Sequence, residues 1–219
     1  MRGLADNAIE PSAVLTDTLR EAVELHGKRA VLLCSFQKEE SVLLDELIRL
    51  GDCGVGGTPI RIVTIDTGVL FPQTLETWKQ FEQRFGVQIE VFDASNAAGE
   101  GGPWSGPEHC CSAAKVAALE QALDGAEAWI TGIRREQGPT RADTQPVETD
   151  PKRGLVKYNP LAHWTEKGLW QRIFERELPY NPLHDQGYSS IGCAPCTHPG
   201  EGREGRWAGT DKTECGLHV

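Results

Sequence analysis

The sequence predicts an α/β fold built on a doubly wound, mainly parallel sheet. Two observations carry this expectation. Short apolar runs of strand length alternate with amphipathic stretches of helix length, and glycines stand where the helices should stop. The runs are apolar almost throughout instead of alternating with polar residues, as strands covered on both faces require.

Element by element, Ser12 to His26 carries Leu15, Leu19 and Val23 on one helical stripe and is stopped by Gly27. Ala30 to Ser35 is the first buried strand, and Glu39 to Leu50 the helix after it, ending at Gly51. Ile60 to Asp66 is the second strand; a helix from Pro72 to Phe85 follows, closed by Gly86, and Gln88 to Phe92 is the third strand. Residues 94–107, rich in Gly, Ala, Asn and Pro, read as a loop. Glu108 to Leu123 is a helix, Ala128 to Gly132 the fourth strand, Leu155 to Tyr158 a shorter strand, and Thr165 to Leu178 the last helix. The division expected is a nucleotide-binding α/β part over 1–180 and a loop and tail over 181–219 of the same domain, the tail ordered by a metal centre and by substrate. No internal repeats are visible.

The chain has 219 residues, 39% hydrophobic and 25% charged, which suits a single packed domain. No apolar run reaches the roughly 20 residues of a membrane span, and the first residues lack the apolar stretch of a signal peptide. A cytoplasmic location follows as the expectation, where cysteines serve as ligands or catalysts more often than in disulfides. A net charge of −10 argues against broad nucleic-acid binding. A small anion needs only a local cluster of arginines, and two exist: Arg134, Arg135 and Arg141, and Arg203 with Arg206.

Ligands of doubly wound sheets bind beyond the carboxyl ends of the strands. Three polar segments fall there: Ser35-Phe-Gln-Lys-Glu-Glu-Ser41, Asp66-Thr-Gly68, and Thr131-Gly-Ile-Arg-Arg-Glu-Gln137. The first opens a helix, whose N–H groups and dipole suit an anion. Gly132 would let a ligand approach the backbone. Each segment read alone is also compatible with an ordinary cap or turn.

Of the seven cysteines, Cys110 and Cys111 are adjacent, Cys193 and Cys196 form a C-x-x-C pair, and Cys215 stands alone near the end. Adjacent helical residues point about 100° apart, so Cys110 and Cys111 reach two corners of a [4Fe–4S] cluster more easily than one ion; structural zinc is the other group that takes four thiolates. Lys115 shares a helix face with Cys111, where an ammonium would offset thiolate charge; a solvated lysine is the plainer reading. Cys34 reads as a core thiol. Cys215, with His218, Arg203 and Arg206 available as cations, reads as a nucleophile or as an inert terminal thiol.

Assembled, these segments resemble the sulfonucleotide reductases, specifically the iron–sulfur adenylyl-sulfate (APS) reductases. The resemblance runs from about residue 30 to the end. It rests on Ser35-Phe, Asp66-Thr-Gly, Cys110-Cys-x-x-x-Lys115, Thr131 to Gln137, Ile191-Gly-Cys-Ala-Pro-Cys196, Arg203-Glu-Gly-Arg-Trp207 and Glu214-Cys-Gly-Leu-His218. It implies an adenine-nucleotide alpha-hydrolase-like (ATP-pyrophosphatase-like) fold with a C-terminal catalytic tail. It implies that Cys110, Cys111, Cys193 and Cys196 ligate a [4Fe–4S] cluster supported by Lys115. Arg203, Arg206 and His218 match positions at the substrate's phosphate and sulfate, and Ser35, Gly132 and Arg141 positions around its nucleotide. Cys215 would attack the sulfur of adenylyl sulfate, release AMP and carry an S-sulfonate, from which reduced thioredoxin liberates sulfite.

The chain departs from the family pattern at Ser35-Phe-Gln-Lys, where many relatives carry a smaller, glycine-containing turn, and at Ser112-Ala-Ala, where a basic residue is common. Three other readings stand beside this one: a reductase of 3′-phosphoadenylyl sulfate (PAPS), an adenylating ATP pyrophosphatase, and a non-enzymatic iron–sulfur sensor. Homo-oligomerisation is left open.

Overall fold

The computed structural model describes residues 10–51, 59–95, 113–207 and 214. Their elements run α1 (Pro11–His26), β1 (Ala30–Leu33), α2 (Lys38–Leu50), β2 (Arg61–Asp66), α3 (Pro72–Phe85), β3 (Glu90–Asp93), α4 (Ala113–Ala122), β4 (Ala128–Ile130), β5 (Val147–Thr149), β6 (Val156–Tyr158) and α5 (Glu166–Glu175). The sheet order is β3-β2-β1-β4-β6-β5. All neighbouring pairs are parallel except β5 with β6, which is antiparallel. The strand order reverses between β1 and β4, the switch point at which such sheets open a crevice.

The central strands β1, β2 and β4 are largely apolar because both faces are covered. Ala30, Leu32, Ile62 and Ile130 face a core built from Leu15 and Leu19 of α1, Leu43 and Leu47 of α2, Phe81 of α3 and Leu169 of α5. The intervening Val31, Val63 and Trp129 face a second core with Ala118, Leu119 and Ala122 of α4. This two-residue alternation between two buried layers accounts for the scarcity of polar residues along these runs. No helix among the described residues is long and apolar enough to cross a membrane.

Local chemistry sets the element ends. α3 begins at Pro72, whose fixed φ suits the first turn, and ends at Gly86, left-handed at φ 64°. The first strand stops at Leu33, earlier than expected, because Phe36 takes a φ of 60° and turns the chain into α2. Its ring is buried and stacks on Trp78 with centroids 5.2 Å apart, which holds this unusual conformation. β5 was not anticipated. α5 ends at Glu175, short of the expected Leu178, with Thr165 capping its start by accepting from the Gly168 N–H at 3.0 Å. The loop expected over 94–107 and the first part of the helix expected from Glu108 lie outside the described residues, apart from Ala94 and Ser95.

Protein contacts order much of the segment after residue 180. Asn181 donates to Thr74 Oγ1 at 3.0 Å, and the Ala194 N–H donates to the Val69 carbonyl at 2.9 Å. The Trp207 N–H donates to the Cys196 carbonyl at 3.0 Å, with the indole buried. Protein contacts thus seat this part of the chain through Trp207 against α3 and the loop after β2.

Candidate functional site

A cleft of about 390 Å³ opens beyond the carboxyl ends of β1 and β4. Every predicted substrate or support residue that the structure describes lines it: Ser35, Lys115, Gly132, Arg141, Arg203 and Arg206. They come from five separate segments, brought together by the strand reversal. A small adjoining cavity is lined by Ser35, Lys115, Gly192 and Cys193, so the C-x-x-C pair borders the same region. Cys110, Cys111, Cys215 and His218 lie outside the described residues.

Glycine backbone in the cleft packs closely against side chains. A Cβ on Gly132 would lie 2.7 Å from Glu39 Cβ and 3.1 Å from Glu40 Oε1. One on Gly192 would lie 2.6 Å from Arg206 Cζ. Arg206 donates to the Ile191 carbonyl at 3.2 Å and to Ser190 Oγ at 3.3 Å, and its guanidinium lies over the Trp207 ring at 4.5 Å. These contacts fix a planar cation at the cleft wall.

The two arginine clusters divide differently from their order in sequence. Arg134 is buried and bound to Glu39 at 3.0 Å, to Glu136 at 3.1 Å and to Glu166. Arg135 donates to the Thr144 carbonyl at 2.7 Å and to Gln145. Arg141 instead joins Arg203: both hold the carboxylate of Glu214.

The start of α2 is more acidic than an anion site requires. Glu40 Oε2 accepts from the Gln37 N–H at 2.9 Å and from Ser35 Oγ at 3.2 Å, so part of the turn's donor set is already engaged. Burial, and then the charge of Glu39, push the Glu40 carboxyl up to about 8. Glu39 goes the other way: burial opposes its charge, but Lys38 and Arg134 outweigh burial and hold it low. Lys38, also buried, pairs with Glu166 at 3.1 Å and donates to the Ser189 carbonyl at 2.7 Å. None of Lys38, Glu39, Glu40 or Glu214 was singled out from sequence. For Glu214 the available signal was its place directly before Cys215.

Cys193 and Cys196 are both buried, the first capping and the second ending a 3₁₀ turn over Ala194–Cys196. Lys115 Nζ lies 4.0 Å from Cys193 Sγ, and Thr67 Oγ1 lies 3.3 Å from it. An ammonium and a hydroxyl aimed at a buried sulfur suit a thiolate better than a thiol, because only the thiolate needs its charge offset. The donor set thus fits a thiolate-bound metal group. Among the described residues no group of three or more His, Cys, Asp and Glu could hold an ion, so these two sulfurs would need ligands from elsewhere.

The model of the phosphoadenosine phosphosulfate reductase domain matches residues 29–199, well over half of the chain. The chain belongs to this family. Among similar family members, a phosphoadenosine 5′-phosphosulfate reductase of Gloeobacter violaceus is 42% identical over 96% of this chain and 89% of its own. The adenosine 5′-phosphosulfate reductase 1 of Bacillus subtilis is 41% identical over 95% and 92%. Among solved structures, a phosphoadenylyl-sulfate reductase of Candida auris superposes with a TM-score of 0.68 at 21% identity, covering 88% of this chain and 98% of that one. An FMN adenylyltransferase of Candida glabrata gives 0.64 at 17%, covering 92% and 70%. These two likenesses show the fold, a mainly parallel α/β sheet with helices on both faces, as expected from the sequence.

Proposed function

We propose that this chain reduces adenylyl sulfate to sulfite and AMP in sulfate assimilation, with Cys215 as the nucleophile. The observation that carries the reading is the convergence of Ser35, Gly132, Arg141, Arg203 and Arg206 on one cleft bordered by Cys193. The relatives named for adenylyl-sulfate reduction support it over nearly the whole length.

In this reading Gly132 lets the nucleotide lie against the backbone just beyond β4, and the guanidiniums neutralise the phosphate and sulfate oxygens. That neutralisation is what a thiolate needs to approach a sulfur surrounded by negative oxygens. The Cys215 thiolate forms a bond to that sulfur as the bond to the phosphate oxygen breaks, and AMP leaves with the bonding pair. A dithiol, of the thioredoxin class, then attacks Cys215 Sγ: sulfite leaves, and the second thiol restores Cys215 as the donor becomes a disulfide. The two electrons come from the dithiol. His218 would add a cation beside the reacting sulfate.

Cys110, Cys111, Cys193 and Cys196 would hold a [4Fe–4S] cluster, with Lys115 offsetting its charge. Bound there, it would supply electrostatic and structural support beside the cleft. Thiol chemistry of this kind suits a reducing compartment, in keeping with a cytoplasmic location.

The test is anaerobic purification, incubation with adenylyl sulfate and mass spectrometry of the C-terminal peptide. An S-sulfonate on Cys215, removed by reduced thioredoxin, is expected. Its absence, or full turnover by a Cys215→Ser variant, overturns the reading. A second reading, reduction of the 3′-phosphorylated nucleotide, is favoured by the name of the Gloeobacter relative. Direct competition of the two nucleotides decides between them; a higher kcat/KM for the 3′-phosphorylated form selects the second.

A further inference from the structure

Among the described residues, Glu214 sits in a socket of four donors. Arg141 Nε reaches its Oε1 at 2.9 Å and Arg141 Nη2 its Oε2 at 2.7 Å, a paired fork. Thr140 Oγ1 donates to Oε1 at 2.8 Å and Arg203 Nη2 to Oε2 at 3.0 Å. Each carboxylate oxygen therefore accepts two hydrogen bonds. The socket is braced from outside: Arg141 Nη1 donates to Gln137 Oε1 at 2.5 Å, and the Arg203 guanidinium lies 5.4 Å from the Trp207 ring centroid.

We propose that Thr140, Arg141 and Arg203 form an oxyanion receptor whose resident occupant is Glu214, and that a tetrahedral oxyanion of the substrate binds by displacing this carboxylate. Both arginines also line the cleft, so the groups that hold Glu214 are the ones an incoming anion meets. The Nε–Nη2 edge of Arg141 cannot grip two anions at once. A second anion beside a seated carboxylate would also meet its repulsion in a partly desolvated setting. Protonation does not empty the socket near neutral pH. Burial alone would raise the Glu214 carboxyl, but the Arg141 hydrogen bonds and the Arg141 and Arg203 charges hold it down at about 2. Only another anion can take its place.

The identity of the displacing group as a sulfonucleotide rests on the function proposed above; the exchange itself does not, and inorganic sulfate probes it. Calorimetric titration of the full-length, cluster-loaded protein with sulfate is expected to give tighter binding for Glu214→Gln than for the wild type, by about fivefold or more, since an occupied receptor weakens apparent affinity by the fraction left open. In the wild type, ¹³C NMR of labelled glutamate carboxyls should show the Glu214 titration rise from near 2 towards the ordinary range of about 4.3 as sulfate saturates. Unchanged or weaker sulfate binding by Glu214→Gln, no sulfate binding by either form, or a Glu214 titration unmoved by sulfate overturns the proposal. A protein that exchanges sulfate in this way but releases no sulfite from adenylyl sulfate loses the functional reading and keeps the receptor.

Discussion

Lys115 Nζ lies 4.0 Å from Cys193 Sγ across 78 residues of sequence. One residue is on α4 and the other in the loop that pairs with Leu70, so this contact joins the two cysteine-bearing segments across the second core. Lys115 also lines the cleft, so its charge faces both the buried sulfur and the space proposed for substrate. Lys115→Met keeps the aliphatic stem and removes the charge. A charge-assisted contact contributes about 1.5–3 kcal/mol, so kcat/KM should fall about 10- to 100-fold. Iron content should stay near that of the wild type. Parallel iron analysis and steady-state assay check this; unchanged turnover would remove Lys115 from the site.

Gly132→Ala tests the close packing of glycine backbone in the cleft. The new methyl would lie 2.7 Å from Glu39 Cβ, an atom fixed to the backbone of α2 that cannot swing aside. Relief requires β4 and α2 to separate at the switch point. Overpacking of this kind costs about 1–3 kcal/mol, or a fall in Tm of about 2–4 °C for each kcal/mol in a chain this size. Thermal unfolding followed by circular dichroism measures it. Substrate KM should rise as well, because the displaced backbone is the cleft wall.

The parallel core of the sheet was legible because its strands carry buried residues on both faces, as Val31 between Ala30 and Leu32 illustrates. The α3 boundaries were legible from Pro72 and Gly86. β5 was not: three residues with exposed Val147 and Thr149 leave no period to read. Nor was the early end of β1, which depends on Phe36 finding Trp78. In the site, motif segments pointed to Arg141, Arg203 and Arg206. The resemblance picked out Arg141 and passed over Arg134, but the residue pattern by itself did not separate the two, since the difference lies in partners far away in the chain. Arg134 meets Glu39, 95 residues off, and Arg141 meets Glu214, 73 residues off. Such pairings are products of the fold and leave no local pattern.

Cys193→Ser and Cys34→Ala should part company. Cys193 sits with Lys115 and Thr67 at the sulfur site, so its loss should strip most of the iron and the activity. Cys34 is fully buried in the first core, and burial, then the Glu40 charge, push its thiol well above the usual range. It should resist alkylation in the folded protein, and Cys34→Ala should keep its iron and its turnover. Iron analysis with mass spectrometry of alkylated peptides reads both. Loss of iron in Cys34→Ala would contradict the placement.

Glu40 makes stability fall with rising pH. Its folded carboxyl titrates at about 8, against about 4.3 for an ordinary glutamate. Between those values the folded state holds a proton that the unfolded chain has lost, so the stabilisation is complete below the lower value. It disappears as pH rises through the upper one, by at most about 1.4 kcal/mol per pH unit. Glu214, titrating at about 2, acts in the opposite sense and in a separate window: its contribution is present above the ordinary value of about 4.3 and is lost as pH falls from there through about 2. Glu40→Gln keeps an amide of the same shape against Ser35 and Gln37 and removes the titration. Urea midpoints measured from pH 5 to 8.5 should decline in the wild type and stay flatter in the variant. Because Glu40 lines the cleft, its ionisation also places a new negative charge beside Gly132. Substrate KM should therefore climb above about pH 8 in the wild type, and this climb should be absent in Glu40→Gln. A variant that retains both pH dependences would show that some other group titrates there.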